Sequence, residues 1–203
     1  MCNVLKDKIM GMRVTQYGEA VLHEKGEKIT EFGEALKALT REMLETMVEH
    51  EGIGLAAQQI GKAIRLCVVD LGEAAHDTGE AILDGRNVPP AILMPLVLVN
   101  PRIELPTPVE MEVMEEGCLS FRQVRGNVTR PAVIEVFYQD LEGGEHHLIC
   151  EGLFSRCIQH EVDHLNGILF IDRMNKPDLS RIRSKLRKLK RLGQEGDPLR
   201  ANR

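Results

Sequence analysis

Gln159-His160-Glu161-Val162-Asp163-His164 decides how this chain is read. On a helix, residues i and i+4 share a face, so this stretch sets two imidazoles one turn apart with a carboxylate beside them. His160 and His164 can then hold one cation, while Glu161 leans toward its open coordination position. The competing reading is a solvated helix carrying two incidental histidines. Asp163 lies between the histidines in sequence but on another face, where a buried structural partner suits it better than direct chemistry.

A catalytic site of this type needs a third protein ligand. In the extended pattern HExxHxxGxxH it lies downstream; Gly167 is in place, but Phe170 stands where the last histidine belongs. A downstream carboxylate would have to be Asp178 or Glu195, both in a strongly basic segment. Upstream, Glu115-Glu116-Gly117-Cys118-Leu119-Ser120 offers a cysteine behind a glycine in a turn-like setting. Cys118 is the better third ligand. Earlier still, Gly52-Ile53-Gly54-Leu55-Ala56-Ala57-Gln58-Gln59-Ile60-Gly61 combines small residues, which let backbone approach a ligand, with an amide able to donate to an oxyanion. Taken alone, that segment reads equally well as a helix cap at Gly52 and tight packing at Ala56 and Ala57.

In this order, GIGLAAQQ, EGCLS and QHEVDH resemble the three signature motifs of the peptide deformylases, which remove the N-formyl group from nascent bacterial and organellar proteins. The resemblance runs from about residue 13 to about residue 170. It implies a metal-dependent amide hydrolase that acts on N-formylmethionyl nascent peptides and releases formate. It also implies that Cys118, His160 and His164 hold the metal and that Glu161 is the general acid/base. Gln59 and the Leu119 backbone N–H would form the oxyanion hole, and the Gly54 backbone would bind the peptide, with Gly117 beside it. Arg125 falls where the family often carries an arginine near the pocket; a surface arginine is an equal reading. The cofactor implied is one divalent metal, Fe(II) in this family, with zinc, nickel or cobalt able to take the site. Ligand softness alone points to zinc. After Ser120 the family usually continues with an aliphatic residue and a proline. Here Phe121-Arg122 follow, on a loop expected to edge the substrate cleft.

At 203 residues, 43% of them hydrophobic, the chain has the size of one soluble domain with a tail. The longest apolar stretch, Ala91 to Val99, is too short to span a bilayer and is broken by Pro95. The start, with Lys6, Asp7 and Lys8, reads as neither a signal nor a transit peptide, so a cytoplasmic location is expected. Five cysteines without regular spacing argue against a disulfide framework. Cys67, in an apolar run, and Cys157, ahead of the site helix, read as buried thiols; Cys2 and Cys150 carry no signal.

The order of elements is that of an α+β fold. Leu36, Leu39, Met43, Leu44, Met47 and Val48 recur at helical spacing, predicting a helix over about residues 31–50. Ile64 to Asp70 and Leu96 to Asn100 read as buried strands, and residues 72–92 as an inserted surface loop. Ala132 to Gln139, a turn at 140–144 and His146 to Cys150 form a hairpin, with His146 and His147 as exposed strand residues. The architecture expected is antiparallel strands packed around a metal-bearing helix that starts near Gly152.

Charge divides the chain into an expected catalytic domain, residues 1–172, and a basic C-terminal helix and tail, 173–203. The tail has 11 Lys/Arg against 3 Asp/Glu, leaving 15 against 28 for the body: +8 against −13. Leu179, Ile182, Leu186 and Leu189 fall on one stripe, ringed by Arg181, Arg183, Lys185, Arg187, Lys188, Lys190 and Arg191. Such asymmetry predicts a polyanionic partner; the resemblance to the deformylases, whose substrate emerges from a ribosome, implies ribosomal RNA ahead of an anionic membrane surface. An equal reading is a helix that packs its stripe on the body and leaves the basic face in water.

Overall fold

The computed structural model describes residues 11–195, so Cys2, the Lys6-Asp7-Lys8 start and the tail beyond Glu195 lie outside it. An antiparallel sheet of seven strands is arranged as β1 (Gly54–Ala56), β2 (Leu66–Val69), β5 (Leu96–Glu104), β8 (Val133–Gln139), β9 (Glu145–Glu151), β3 (Ala81–Leu83) and β4 (Arg86–Val88). A separate ribbon pairs β6 (Met111–Cys118) with β7 (Phe121–Pro131). Between sheet and ribbon runs α2 (Gly152–Leu165). The expected α+β arrangement of antiparallel strands around a central HExxH helix is therefore the fold observed.

Alternation along β2 shows how the layers form. Leu66 and Val68 join Met43 and Met47 of α1 (Glu34–Glu49), whereas Cys67 and Val69 join Phe154, Ile158, Val162 and Leu165 of α2. Successive strand side chains point to opposite faces, so this strand is covered by a helix on each side and reads as an unbroken apolar run. Each such fully buried aliphatic or aromatic side chain is worth about 1.5–3 kcal/mol relative to exposure. The start of α2 is fixed by Gly152, whose φ of 61° turns the chain abruptly out of β9. A Cβ there would lie 3.0 Å from the Thr78 carbonyl oxygen.

Several sequence expectations need correction. Residues 72–92 are not a surface loop: they contain a 3₁₀ turn, Gly72–Asp77, and the β3–β4 hairpin, which extends the sheet by pairing β3 with β9. Its Gly, Asp and Pro content marks tight turns between very short strands. The first helix starts at Glu34, three residues later than expected, and Cys157 lies inside α2. Phe121 opens β7 instead of lying on a loop and is buried, stacked on Tyr17 at 4.7 Å and edge-on to Phe170 at 5.0 Å, while still lining the cleft beside Cys118.

Two helices end the described residues, the single-turn α3 (Phe170–Arg173) and the long α4 (Lys176–Glu195). The stripe of α4 packs into a cluster with Phe121, Val128 and Phe170, with Leu186 buried and Leu179, Ile182 and Leu189 partly so. All seven basic residues around the stripe are exposed. No helix among the described residues is long and apolar enough to cross a membrane.

Candidate metal centre and cleft

Two elements meet to build the site. Cys118 ends β6, where a register shift between Gly117 and Cys118 breaks the pairing with β7 just before the turn at Leu119-Ser120. Such irregularities re-aim side chains. His160 and His164 project from α2 with ring centroids 5.1 Å apart, and Cys118 Sγ lies 3.3 Å from His164 Nε2. The donor atoms of the three residues all fall within 4.8 Å of one another, the only such trio among the described residues. A thiolate and two imidazoles suit a divalent transition metal. Asp178 and Glu195 pair instead with Arg181 and Arg191 of their own helix.

Glu161 is buried beside the trio, and its Oε2 has no hydrogen-bond partner. Burial pushes its carboxyl up to about 7, although the His160 and Arg130 charges pull the other way. A carboxyl group tuned to neutral pH is suited to exchanging protons. Gly54 faces it so closely that a Cβ would press on Glu161 Oε1 and on Cys157 Sγ. Glycine here lets the backbone of β1 approach the carboxylate. Gln59 accepts the Ala56 N–H at 2.8 Å through Oε1, which turns its amide nitrogen toward Cys118 Sγ and Ser120 Oγ, both at 3.4 Å.

A buried ionic network holds the metal helix from behind. Glu116 Oε2 lies 3.0 Å from His160 Nδ1, an arrangement that would leave Nε2 available to a metal. Arg130 donates to both Glu116 oxygens, at 2.6 and 3.0 Å, and to Asp163 at 2.7 Å. Arg156 donates to Glu116 at 2.8 Å, and Arg173 to Asp163 at 2.7 Å. Burial alone would raise the Glu116 carboxyl, but His160 and Arg130 outweigh it and hold the group well below the usual carboxylate range. Burial pushes His164 far down, toward the neutral imidazole that a metal ligand needs. Asp163 has the buried structural role expected of it. No role was expected of Glu116, Arg130 or Arg156. A signal existed for the first, since i and i+2 on a strand share a face and Glu116 therefore accompanies Cys118.

One cleft of about 470 Å³ brings together Gly54, Gln59, Gly117, Cys118, Leu119, Arg125, His160 and Glu161. His164 sits behind it, 1% exposed. Arg125 lies over Gly117 at the rim, is exposed, and pairs with Glu115 at 3.5 Å. Arg122 lines a separate small hollow with Arg13 and Leu189.

Known proteins resemble this chain in sequence and in shape. The family described as polypeptide deformylase matches residues 12–180. The peptide deformylase of Opitutus terrae is 55% identical over 168 residues, 82% of this chain and 86% of that one. That of Salinibacter ruber is 42% identical, covering 85% of each. Among solved structures, the Plasmodium falciparum peptide deformylase superposes with a TM-score of 0.75 at 33% identity, covering 90% of this chain and 98% of that one. A plant peptide deformylase gives 0.76 at 32% identity, over 91% of each. The chain therefore belongs to the polypeptide deformylase family, single-metal hydrolases that remove the N-formyl group from the N-terminal formylmethionine of nascent chains.

Proposed function

We propose that this cleft performs the deformylation with Cys118, His160 and His164 as metal ligands, Glu161 as proton carrier, and Gln59 with the Leu119 N–H as oxyanion donors. The observation that carries the reading is the buried Glu161 Oε2, left without a partner beside the ligand trio. A bound divalent ion supplies Lewis acidity, which makes amide hydrolysis feasible at neutral pH. Glu161 takes a proton from the attacking water and returns it to the departing amine. The Gln59 amide N–H, oriented by the Ala56 N–H bond to Oε1, would donate to the formyl oxygen as negative charge develops there. Because β1 is the edge of its sheet, the Gly54 backbone is free to pair with an extended substrate, while Gly117 and Arg125 form the opposite rim.

The metal is Fe(II) by family usage, and zinc, nickel and cobalt suit the same donors. Anaerobic purification with metal analysis, followed by formate release from a formyl-Met tripeptide, tests both assignments. Glu161→Gln should keep a full metal complement and lose about 10²–10⁴-fold in turnover. Retention of a tenth of the activity would remove Glu161 from its role. Cys118→Ser should lose the metal itself, and stoichiometric metal in that variant would place the third ligand elsewhere.

We further propose that the basic face of α4 docks the enzyme at the cytoplasmic ribosome, where its substrate emerges. Its support is seven exposed cations on one helix of a body with net negative charge. Reversing Arg187, Lys188, Lys190 and Arg191 to Glu should weaken ribosome association, and wild-type binding should fall steeply with salt. Association that ignores both would refute ribosome docking through α4.

A further inference from the structure

A second cleft, of about 560 Å³, lies on the other side of the metal helix. Gln159, Val162, Asp163 and Asn166 face it, one stripe of the helical surface and its end, whereas Cys157, His160 and Glu161 face the first cleft. Four arginines line it, Arg65, Arg102, Arg130 and Arg173, against the single acid Asp163. That balance is the reverse of the acidic body around it.

The four guanidinium groups are not equally satisfied. Arg130 and Arg173 share Asp163, and Arg102 pairs with Glu104 while lying 4.5 Å above the Phe137 ring. Arg65 is half-buried, and its bonds go to neutral acceptors, Asn166 Oδ1 at 3.0 Å and the Pro101 carbonyl at 2.6 Å. Among the described residues no carboxylate pairs with it. A half-buried cation without a counter-charge is costly unless an anion is supplied. Ile103, Leu105, Met111 and Val162 form an apolar part of the wall, beside Thr129, Pro131 and Gln159, with Leu105 49% and Met111 53% exposed. Fixed forked cations beside an open apolar wall match a carboxylate carried on a hydrocarbon body.

We propose that this cleft is a second ligand site, which takes an amphiphilic carboxylate with its head at Arg65 and Arg102 and its chain along Leu105 and Met111. The probe is decanoate, titrated calorimetrically into the metal-loaded full chain, with inorganic phosphate and a formyl-Met tripeptide as comparisons. Decanoate should bind saturably at one site per chain and should not be displaced by the tripeptide. Arg65→Gln combined with Arg102→Gln should weaken it at least about tenfold, the effect of losing charge-assisted hydrogen bonds. Leu105→Glu, a rim substitution that leaves Arg65 holding Asn166, should weaken it similarly by setting a charged group against the hydrocarbon chain. This second variant keeps the test decisive if the arginine pair fails to fold. The proposal is overturned by an absence of saturable binding, by affinity indifferent to these substitutions, or by displacement with the tripeptide. Phosphate binding as tightly as decanoate overturns it too, since the apolar wall would then play no part.

Discussion

Two helices of this chain solve opposite problems. In α2 every residue from Phe154 to Leu165 is buried, including Arg156, His160, Glu161, Asp163 and His164. In α4, twenty residues long, only Leu186 is buried and its many cations face water. Charges on α4 are solvated and need no partner; the charged groups of α2 must find theirs inside the protein or hold a metal. The cost of a polar substitution should therefore be set by enclosure and not by residue type.

The severest test of that contrast is Arg130→Met. It removes the cation shared by Glu116 and Asp163, leaving Glu116 to Arg156 and His160 and Asp163 to the half-exposed Arg173. Breaking a buried ion network by removing one partner costs about 3–5 kcal/mol, so urea unfolding of the metal-loaded protein should shift by that much. A shift below about 1 kcal/mol would show that the network is dispensable.

A smaller effect is expected on α4. Leu186→Ala opens a gap beneath the helix, and because the site lies at the edge of its cluster the loss should be near the low end for Leu→Ala, about 2 kcal/mol. Arg187→Ala, one position away and exposed, should change stability by no more than about 0.5 kcal/mol. Equal losses would mean that the helix is held by charge and not by its stripe. Close approaches favour the stripe: a Cβ at Gly18 would collide with the Lys190 carbonyl, and one at Gly193 with that of Tyr17.

The same contrast explains what could be read from sequence. The stripe of α4 and the motif of α2 are periodic patterns within one segment, so His160, Glu161, His164 and the leucines of α4 are legible directly. Cys118 and Gln59 are legible as residue types in suggestive surroundings, but only the fold brings them to the histidines. Arg130 and Arg156 leave no local trace. Their meaning lies in partners 14 and 40 residues from them along the chain. The β3–β4 hairpin was obscured for a related reason: strands of three residues carry almost no periodicity, and what makes them strands is the pairing of β3 with β9.

That hairpin provides the mildest and most conditional prediction. His146 joins Asp84, in the β3–β4 turn, at 2.8 Å through Nδ1 and Asp140, in the β8–β9 turn, at 3.3 Å through Nε2, with the Tyr138 ring 5.3 Å away. Asp84 raises the imidazole above its ordinary pKa, against a lesser opposing effect of burial. The His147 backbone N–H and His146 hold Asp84 below the carboxylate range. Burial would raise Asp140, but the Gly144 N–H and His146 outweigh it. A raised imidazole stabilises the fold fully below its unfolded pKa of about 6.5 and loses that contribution as pH rises through its folded value. The lowered carboxylates stabilise above their unfolded pKa, about 3.9, and lose that contribution as pH falls. The clasp is therefore strongest from about pH 4 to 6.5. Because these groups are partly exposed, solvent screening limits the gain to about 0.5 kcal/mol. His146→Gln should cost that much in urea unfolding at about pH 5.5 and nothing measurable at about pH 9. A loss independent of pH would show that the ring serves by packing alone. A loss as large as that of Arg130→Met would end the claim that enclosure sets the cost, because His146 has water beside it and Arg130 does not.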